Sequence, residues 1–434
     1  MANAIASKLQ SITTPNTIIK QFAQTDSSWQ TKIKQSVIGS LESIYLVVPD
    51  TVEDLAAIVK TAYQEKWKIV PCGNGSKLDW GALAQDVQLI VSTQKCDRII
   101  EHAINDLTVT VEAGVKLAEL QASLKASNQF LPINPAFADT ATIGGILATA
   151  DTGSWRQQYG GIRDLVLGIS FIRGDGEIAK AGGRVVKNVA GYDLMKLFIG
   201  SYGTLGIISQ VTFRTYPIPD TSKTVILTAQ ARQIDRIIGL IRNSGLTPTA
   251  ADLITASVAT KLGIEANMAL MIRFQTIPES IEAQIAQLTA MVADLEVEIT
   301  TYQEAAEARL WHQLNSIVRI PNSSKTIICK FAIVPTAGVA FLEQLPIQNK
   351  SCAMVHIGSG IGILQFTIDE VSTMQTIRDF CNSNSGFLTV LTAPQAIKEK
   401  IDVWGYRGNA LEMMRTIQKK FDPEQIFNCD RFLV

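Results

Sequence analysis

Apolar positions along this chain fall into two rhythms. Between 45 and 130, short β-branched runs alternate with longer amphipathic stretches: YLVV at 45–48, a helix-like 52–65, KIVP at 68–71, then apolar runs at 87–92, 99–103 and 108–112. Short runs bounded by turn residues predict strands, and a period near 3.6 predicts the helix between them. Thr51 stands ahead of Val52, Glu53 and Asp54, so a hydroxyl N-cap and two acids open that helix. A second helix is predicted over 116–126, before the turn-rich LPINP at 131–135. Residues 1–35 are polar and mixed and read as a short helical lead-in.

From YPIP at 216–219 onward the rhythm becomes regular. A strand over 223–229 precedes a helix whose Ile234, Ile237, Ile238 and Ile241 share one face. A strand at 268–275, a helix at 278–295 and a strand at 297–301 follow, then strands near 326–334, 353–357 and 363–368. This pattern predicts an antiparallel sheet covered by helices, resembling two ferredoxin-like halves. A helix over 410–420 runs into FDP at 421–423. The expected fold class is α+β, divided into the lead-in 1–35, a first domain 36–216, a cap domain 217–410 and a tail 411–434 returning to the first domain.

Composition narrows the function classes. The 434 residues are 47% hydrophobic and 18% charged, with a net charge of −1, which suits a soluble globular chain and gives no basic surface for nucleic acid. Apolar runs stop well short of a bilayer span, and MANAIASKLQ lacks the apolar core of a secretory leader, so a cytoplasmic location is expected. None of the six cysteines forms a Cys-x-x-Cys pair, so neither an iron–sulfur cluster nor a zinc site is expected from this chain. The three histidines, His102, His312 and His356, are scattered, and no metal is expected.

Glycine changes the picture most. Fourteen of the 29 glycines lie between 144 and 206. Three loops stand out: PCGNGSK at 71–77, TATIGGI at 140–146 and GSYGTLG at 200–206. Each can bring bare backbone close to a ligand. None is a Walker loop, and the spacing Gly200, Gly203, Gly206 ahead of a strand fails the Gly-x-Gly-x-x-Gly dinucleotide fingerprint. HIGSGIG at 356–362 fails it too, because ILQF continues as strand.

Taken together, the loops resemble the flavin-binding domain of the FAD-linked oxidase family, typified by vanillyl-alcohol oxidase and p-cresol methylhydroxylase. The resemblance covers about 40–216, through 71–77, ATIGG at 141–145, YGGIRD at 159–164, Lys187 with Asn188, GYDL at 191–194 and 200–208. The tail FDPEQIFN at 421–428 also fits, with Cys429 and Asp430 where the family has Pro-Gly. It implies a two-subdomain FAD-binding domain of the p-cresol methylhydroxylase type, with cofactor contacts at Pro71, Gly73, Asn74, Gly75, Ser76, Lys77, Thr140, Thr142, Gly144, Gly145, Gly153, Tyr159, Gly203, Thr204, Gly206 and Ile208. Covalent relatives use a histidine in the first loop. Here Ser76 and Lys77 follow Gly75, which implies non-covalent FAD.

The stretch GGRVVKNVAGYDLMKL at 182–197 looks most like the smaller FAD-binding subunit of bacterial glycolate oxidases. That likeness implies a larger FAD-binding catalytic subunit and an iron–sulfur subunit as partners, a small 2-hydroxy acid as substrate, and contact with the inner membrane only through those partners. Relatives that oxidise 2-hydroxy acids carry His-x-Gly-Asp-Gly-Asn-x-His. In HIGSGIGI at 356–363, Ser359 replaces the acid and Ile363 the second histidine. Losing an imidazole ligand and an acid makes His356 a structural remnant before a catalytic base. Three functions stay open: an FAD-binding subunit of a glycolate oxidase-type complex, a free-standing FAD-dependent 2-hydroxy-acid dehydrogenase, and a flavin-bound assembly subunit without turnover.

Overall fold

The computed structural model describes residues 2–184, 191–346, 351–367, 371–428 and 430–432. They form two compact units. The first comprises Met1–Thr152, Gly161–Pro217 and Tyr406–Val434, the second Gly153–Gly160 and Ile218–Gly405.

The first unit holds two main sheets. One contains β1 (Ile18–Gln21), β2 (Tyr45–Val48), β3 (Lys68–Cys72) and β4 (Val87–Ser92), in the order β1-β2-β4-β3. Both β2 and β3 run parallel to β4, and β1 closes the edge antiparallel. The helix Val52–Glu65 makes the crossover from β2 to β3, capped by Thr51 Oγ1 accepting from the Asp54 amide. The first 35 residues are thus more than a lead-in: Ile5 and Leu9 enter the same core as Leu55 and Ile58. Apolar spacing in a short helix carries that docking, which the polar average of the segment hides.

Next along the chain come β5 (Ile99–Ala103), β6 (Thr108–Glu112), β7 (Gln129–Phe130), β8 (Val166–Ile172), β9 (Ile178–Gly182), β10 (Ile207–Arg214) and β11 (Tyr216–Pro217). Five of them form an antiparallel sheet, β5-β6-β10-β8-β9, while β7 and β11 make a short ribbon. The C-terminal segment joins the edge of β3. The Ile69 amide donates to Ile426 O at 2.6 Å, and the Asn428 amide donates to Ile69 O at 2.8 Å. Asp422 holds the turn by accepting from the amides of Ile426 and Phe427, at 3.0 and 2.8 Å.

The second unit is one antiparallel sheet of eight strands: β12 (Thr221–Thr228), β13 (Ala250–Thr255), β14 (Met268–Thr276), β15 (Glu298–Gln303), β16 (Ile327–Ala332), β17 (Ser351–His356), β18 (Ile361–Phe366) and β19 (Phe387–Thr392). Its order, β15-β12-β14-β13-β17-β18-β16-β19, repeats one ferredoxin-like arrangement twice and joins the halves by pairing β13 with β17. Ile234, Ile237, Ile238 and Ile241 are all buried, as their spacing predicts. Helices Ala231–Arg242 and Pro278–Met291 belong to the first half, Gly338–Glu343 and Val371–Ser383 to the second, and Glu304–Arg319 connects them in the chain.

Candidate functional site

One cavity of the first unit gathers most of the expected cofactor residues. Pro71, Gly73, Asn74, Gly75, Ser76, Lys77, Thr142, Gly144, Gly145, Gly203, Gly206 and Ile208 line it together. Three loops far apart in sequence therefore meet at one place.

The first loop leaves β3 and is held from several sides. Ser92 Oγ donates to Gly73 O at 2.8 Å, Lys32 Nζ donates to Asn74 O at 2.9 Å, and Asn74 Nδ2 donates to Thr140 O at 3.1 Å. Gly73 has no alternative residue, since a Cβ there would lie 1.9 Å from Thr142 Oγ1. Lys77 points inward and forms an ion pair with Asp151, Nζ to Oδ2 2.8 Å, with both side chains buried. The second loop opens the helix Ile143–Thr149. Its two glycines differ: Gly144 packs against Ala113, where a Cβ would approach to 2.8 Å, while a Cβ on Gly145 would meet nothing nearer than Thr142 Oγ1 at 3.4 Å. Only Gly145 keeps spare room beside the cavity.

The third loop explains its own glycine spacing. Gly200, Gly203 and Gly206 have φ of +79°, +73° and +145°, conformations that side chains rarely tolerate. A Cβ on Gly203 would lie 2.7 Å from Pro71 Cγ, and one on Gly206 2.5 Å from Ile172 O. The run folds left-handed, presses on the first loop, and then enters β10 beside β8.

Four expected residues stand elsewhere. Thr140 is exposed and enters only through its carbonyl, and Thr204 is turned into the fold, its hydroxyl donating to Ser201 O at 2.8 Å. Gly153 and Tyr159 group with the second unit. Asp164 accepts from the Gly161 amide at 2.8 Å, so the YGGIRD motif includes a local helix cap. Lys187 and Asn188 lie outside the described residues.

Cys72 of the first loop lines the cavity too, as do Thr93, Tyr202, Asn428 and Arg431, which sequence reading missed. Burial pushes the Cys72 thiol up to about 12, so at neutral pH it is a packed thiol and no nucleophile for a flavin tether. Tyr202 is raised by burial as well, and Arg431 is lowered by the same cause. Arg431 is nonetheless well held, donating to Leu78 O and, at 2.8 Å, to Trp80 O. Asn428 is the most telling. It is 2% exposed, its Nδ2 donates to Tyr202 O, and its Oδ1 is buried without a partner. A buried acceptor with a fixed orientation and no donor costs about 1–3 kcal/mol unless a ligand supplies one. FAD carries such donors in its ring imide, ribityl hydroxyls and adenine amine, so the residues present fit that cofactor.

His356 sits in a different environment. Its Nδ1 lies 2.5 Å from Asp252 Oδ1, with the two side chains 3% and 0% exposed. They are direct neighbours across the β13–β17 seam. The glycines after it are filled, not open: a Cβ on Gly358 would lie 2.0 Å from Gln157 Oε1, and one on Gly360 1.9 Å from Ile333 O. Among the described residues no group of three His, Cys, Asp or Glu could hold a metal. No helix among them is long and apolar enough to cross a membrane.

Comparison with known proteins agrees with this geometry. Residues 44–182 match the family described as FAD binding domain. Glycolate oxidase subunit GlcD of Bacillus subtilis (strain 168) is 26% identical over 337 residues, 73% of this chain and 71% of that protein. Glycolate oxidase subunit GlcE of Escherichia coli (strain K12) is 36% identical over 166 residues, 38% of this chain, and the match spans about half of that relative, 47% of its length. Among solved structures, p-cresol methylhydroxylase with substrate bound superposes with a TM-score of 0.74 at 14% identity, covering 99% of this chain and 96% of that one. The chain therefore carries an FAD binding domain at residues 44–182 and shares the fold of p-cresol methylhydroxylase.

Proposed function

We propose that this chain is an FAD-binding subunit of a glycolate oxidase-type complex, whose larger flavin subunit holds the main substrate site. When bound, FAD supplies the two-electron oxidant that turns a 2-hydroxy acid into a 2-oxo acid. The loops 71–77 and 200–208 would hold it non-covalently, with Lys77, Asn428 and Gly145 at its wall. Removing the hydroxyl proton requires a base within reach of the substrate. His356 is the natural candidate by motif, and its buried contact with Asp252 is the observation that carries the proposal: a base 3% exposed and held by an acid across a sheet seam is closed to a substrate in this conformation. The iron–sulfur partner belongs to the same reading and rests on the resemblance to the smaller glycolate oxidase subunit.

The same pair also favours a second reading. An acid bonded to one nitrogen of a histidine is the arrangement that orients a general base. A free-standing 2-hydroxy-acid dehydrogenase would use it after local opening. Anaerobic titration of the purified, FAD-loaded chain with glycolate separates the two. The subunit reading expects the flavin absorbance to stay oxidised until partner is added. Bleaching of the lone chain would establish the second reading instead. A flavin that stays oxidised even in the complex would make the chain an assembly subunit without turnover.

A further inference from the structure

The second unit contains a cleft of about 380 Å³ that shares β17 with the Asp252–His356 pair but is lined by neither residue. Its floor is the start of β17 and the end of β18, through Ser351, Cys352 and Gln365. One wall is the C-terminal end of the helix Ala256–Lys261, with Thr260 and Lys261, and Asn322 closes another side.

Three features point to a ligand. Lys261 brings a positive charge, its described polar contact is a bond donated to Cys352 Sγ at 3.1 Å, and no carboxylate stands among the described lining residues. Ser351 Oγ is buried without a partner, in a side chain 1% exposed. Gln365 is 4% exposed; its Nε2 donates to Ile320 O at 3.2 Å, which fixes the amide and leaves Oε1 buried without a donor. A lysine ammonium asks for an anion, while an orphaned amide oxygen asks for a hydroxyl or amine donor. The hydroxyl of Ser351 serves either end. A simple fatty acid supplies only the anion, whereas a hydroxy acid supplies both chemistries.

We propose that this cleft binds a small organic anion that also carries a hydroxyl group, its carboxylate on Lys261 and its hydroxyl donating to Gln365 Oε1. Such a site gives the second unit a pocket for hydroxylated organic anions that uses none of the residues lining the flavin cavity. The assignment stands whether or not the proposed oxidation is correct, because it uses none of the flavin residues.

The test uses the full FAD-loaded chain and D-glycerate as the probe. Isothermal titration is run on the wild type, on Lys261→Met and on Gln365→Leu, beside a crystal soaked in the same compound. The expected result is density touching Lys261 and Gln365, with affinity falling about tenfold or more in each variant, as the loss of a charge-assisted or buried hydrogen bond requires. Lys261 is exposed, so its replacement leaves the fold intact. Ordered water alone in the soaked cleft, or equal affinity in all three proteins, overturns the proposal. Propionate binding as tightly as D-glycerate overturns the role given to the hydroxyl.

Discussion

Two glycine-rich regions of this molecule look alike on paper and behave in opposite ways. The loops at 71–77, 140–146 and 200–206 open a cavity, while HIGSGIG at 356–362 closes one. In the first set, glycines let separate segments approach at Gly73, Gly203 and Gly206, the last two at positive φ, and the space left between them is lined by Lys77, Gly145 and Asn428. In the second, the bare Cα positions of Gly358, Gly360 and Gly362 are taken up by Gln157, Ile333 and Phe331. Glycine allows close approach, and what approaches decides whether the result is a site or a core.

That contrast can be tested from both sides. The largest effect is expected at Gly360→Val. A side chain there needs φ of +68° and meets Ile333 O at 1.9 Å, so the second unit should lose about 4 kcal/mol or more, with a fall in Tm on the order of 10 °C. A Tm unchanged within a degree would show that the motif is not core.

Next comes Lys77→Met in the first unit. It leaves the buried Asp151 carboxylate, now paired with Lys77 Nζ at 2.8 Å, without its cation, which costs about 3 kcal/mol. Denaturant midpoints of the apo and FAD-loaded forms measure it, and both should fall. A loss confined to the loaded form would mean the lysine serves only the cofactor.

Asn428→Leu removes the orphaned acceptor together with the bond to Tyr202 O. FAD affinity should weaken by about 10- to 100-fold, the worth of one buried hydrogen bond, in a fluorescence titration of the apoprotein. Unchanged affinity would remove Asn428 from the cofactor wall. The smallest change is Gly145→Ala. Its Cβ meets only Thr142 Oγ1 at 3.4 Å, so apo stability should shift by less than about 0.5 kcal/mol while FAD occupancy drops. Gly203→Val, by comparison, mixes both effects, because Pro71 Cγ lies 2.7 Å from its Cβ.

Local patterns were legible wherever neighbouring residues act on one another. The cap at Thr51, the isoleucine stripe at 234–241 and the positive-φ glycines of 200–206 follow from sequence alone, because helix period, capping and left-handed backbone are short-range properties. The loss of a metal motif at Ser359 and Ile363 was equally plain, as a change of ligand chemistry. Other features stayed hidden until distant segments met. The tail motif at 421–428 marks a return to the first domain, but only its pairing with Ile69 brings Asn428 and Arg431 to the cavity. Asp252 and His356 stand 104 positions apart and become partners only because β13 and β17 join two halves of one sheet. Sequence by itself determined many of the strands, helices and glycine turns, through interactions a few residues long, though not β13, β19 or the helices Glu304–Arg319 and Val371–Ser383. Tertiary structure alone decided which of those turns enclose space and which enclose side chains, because that depends on what long-range packing brings against each bare backbone position.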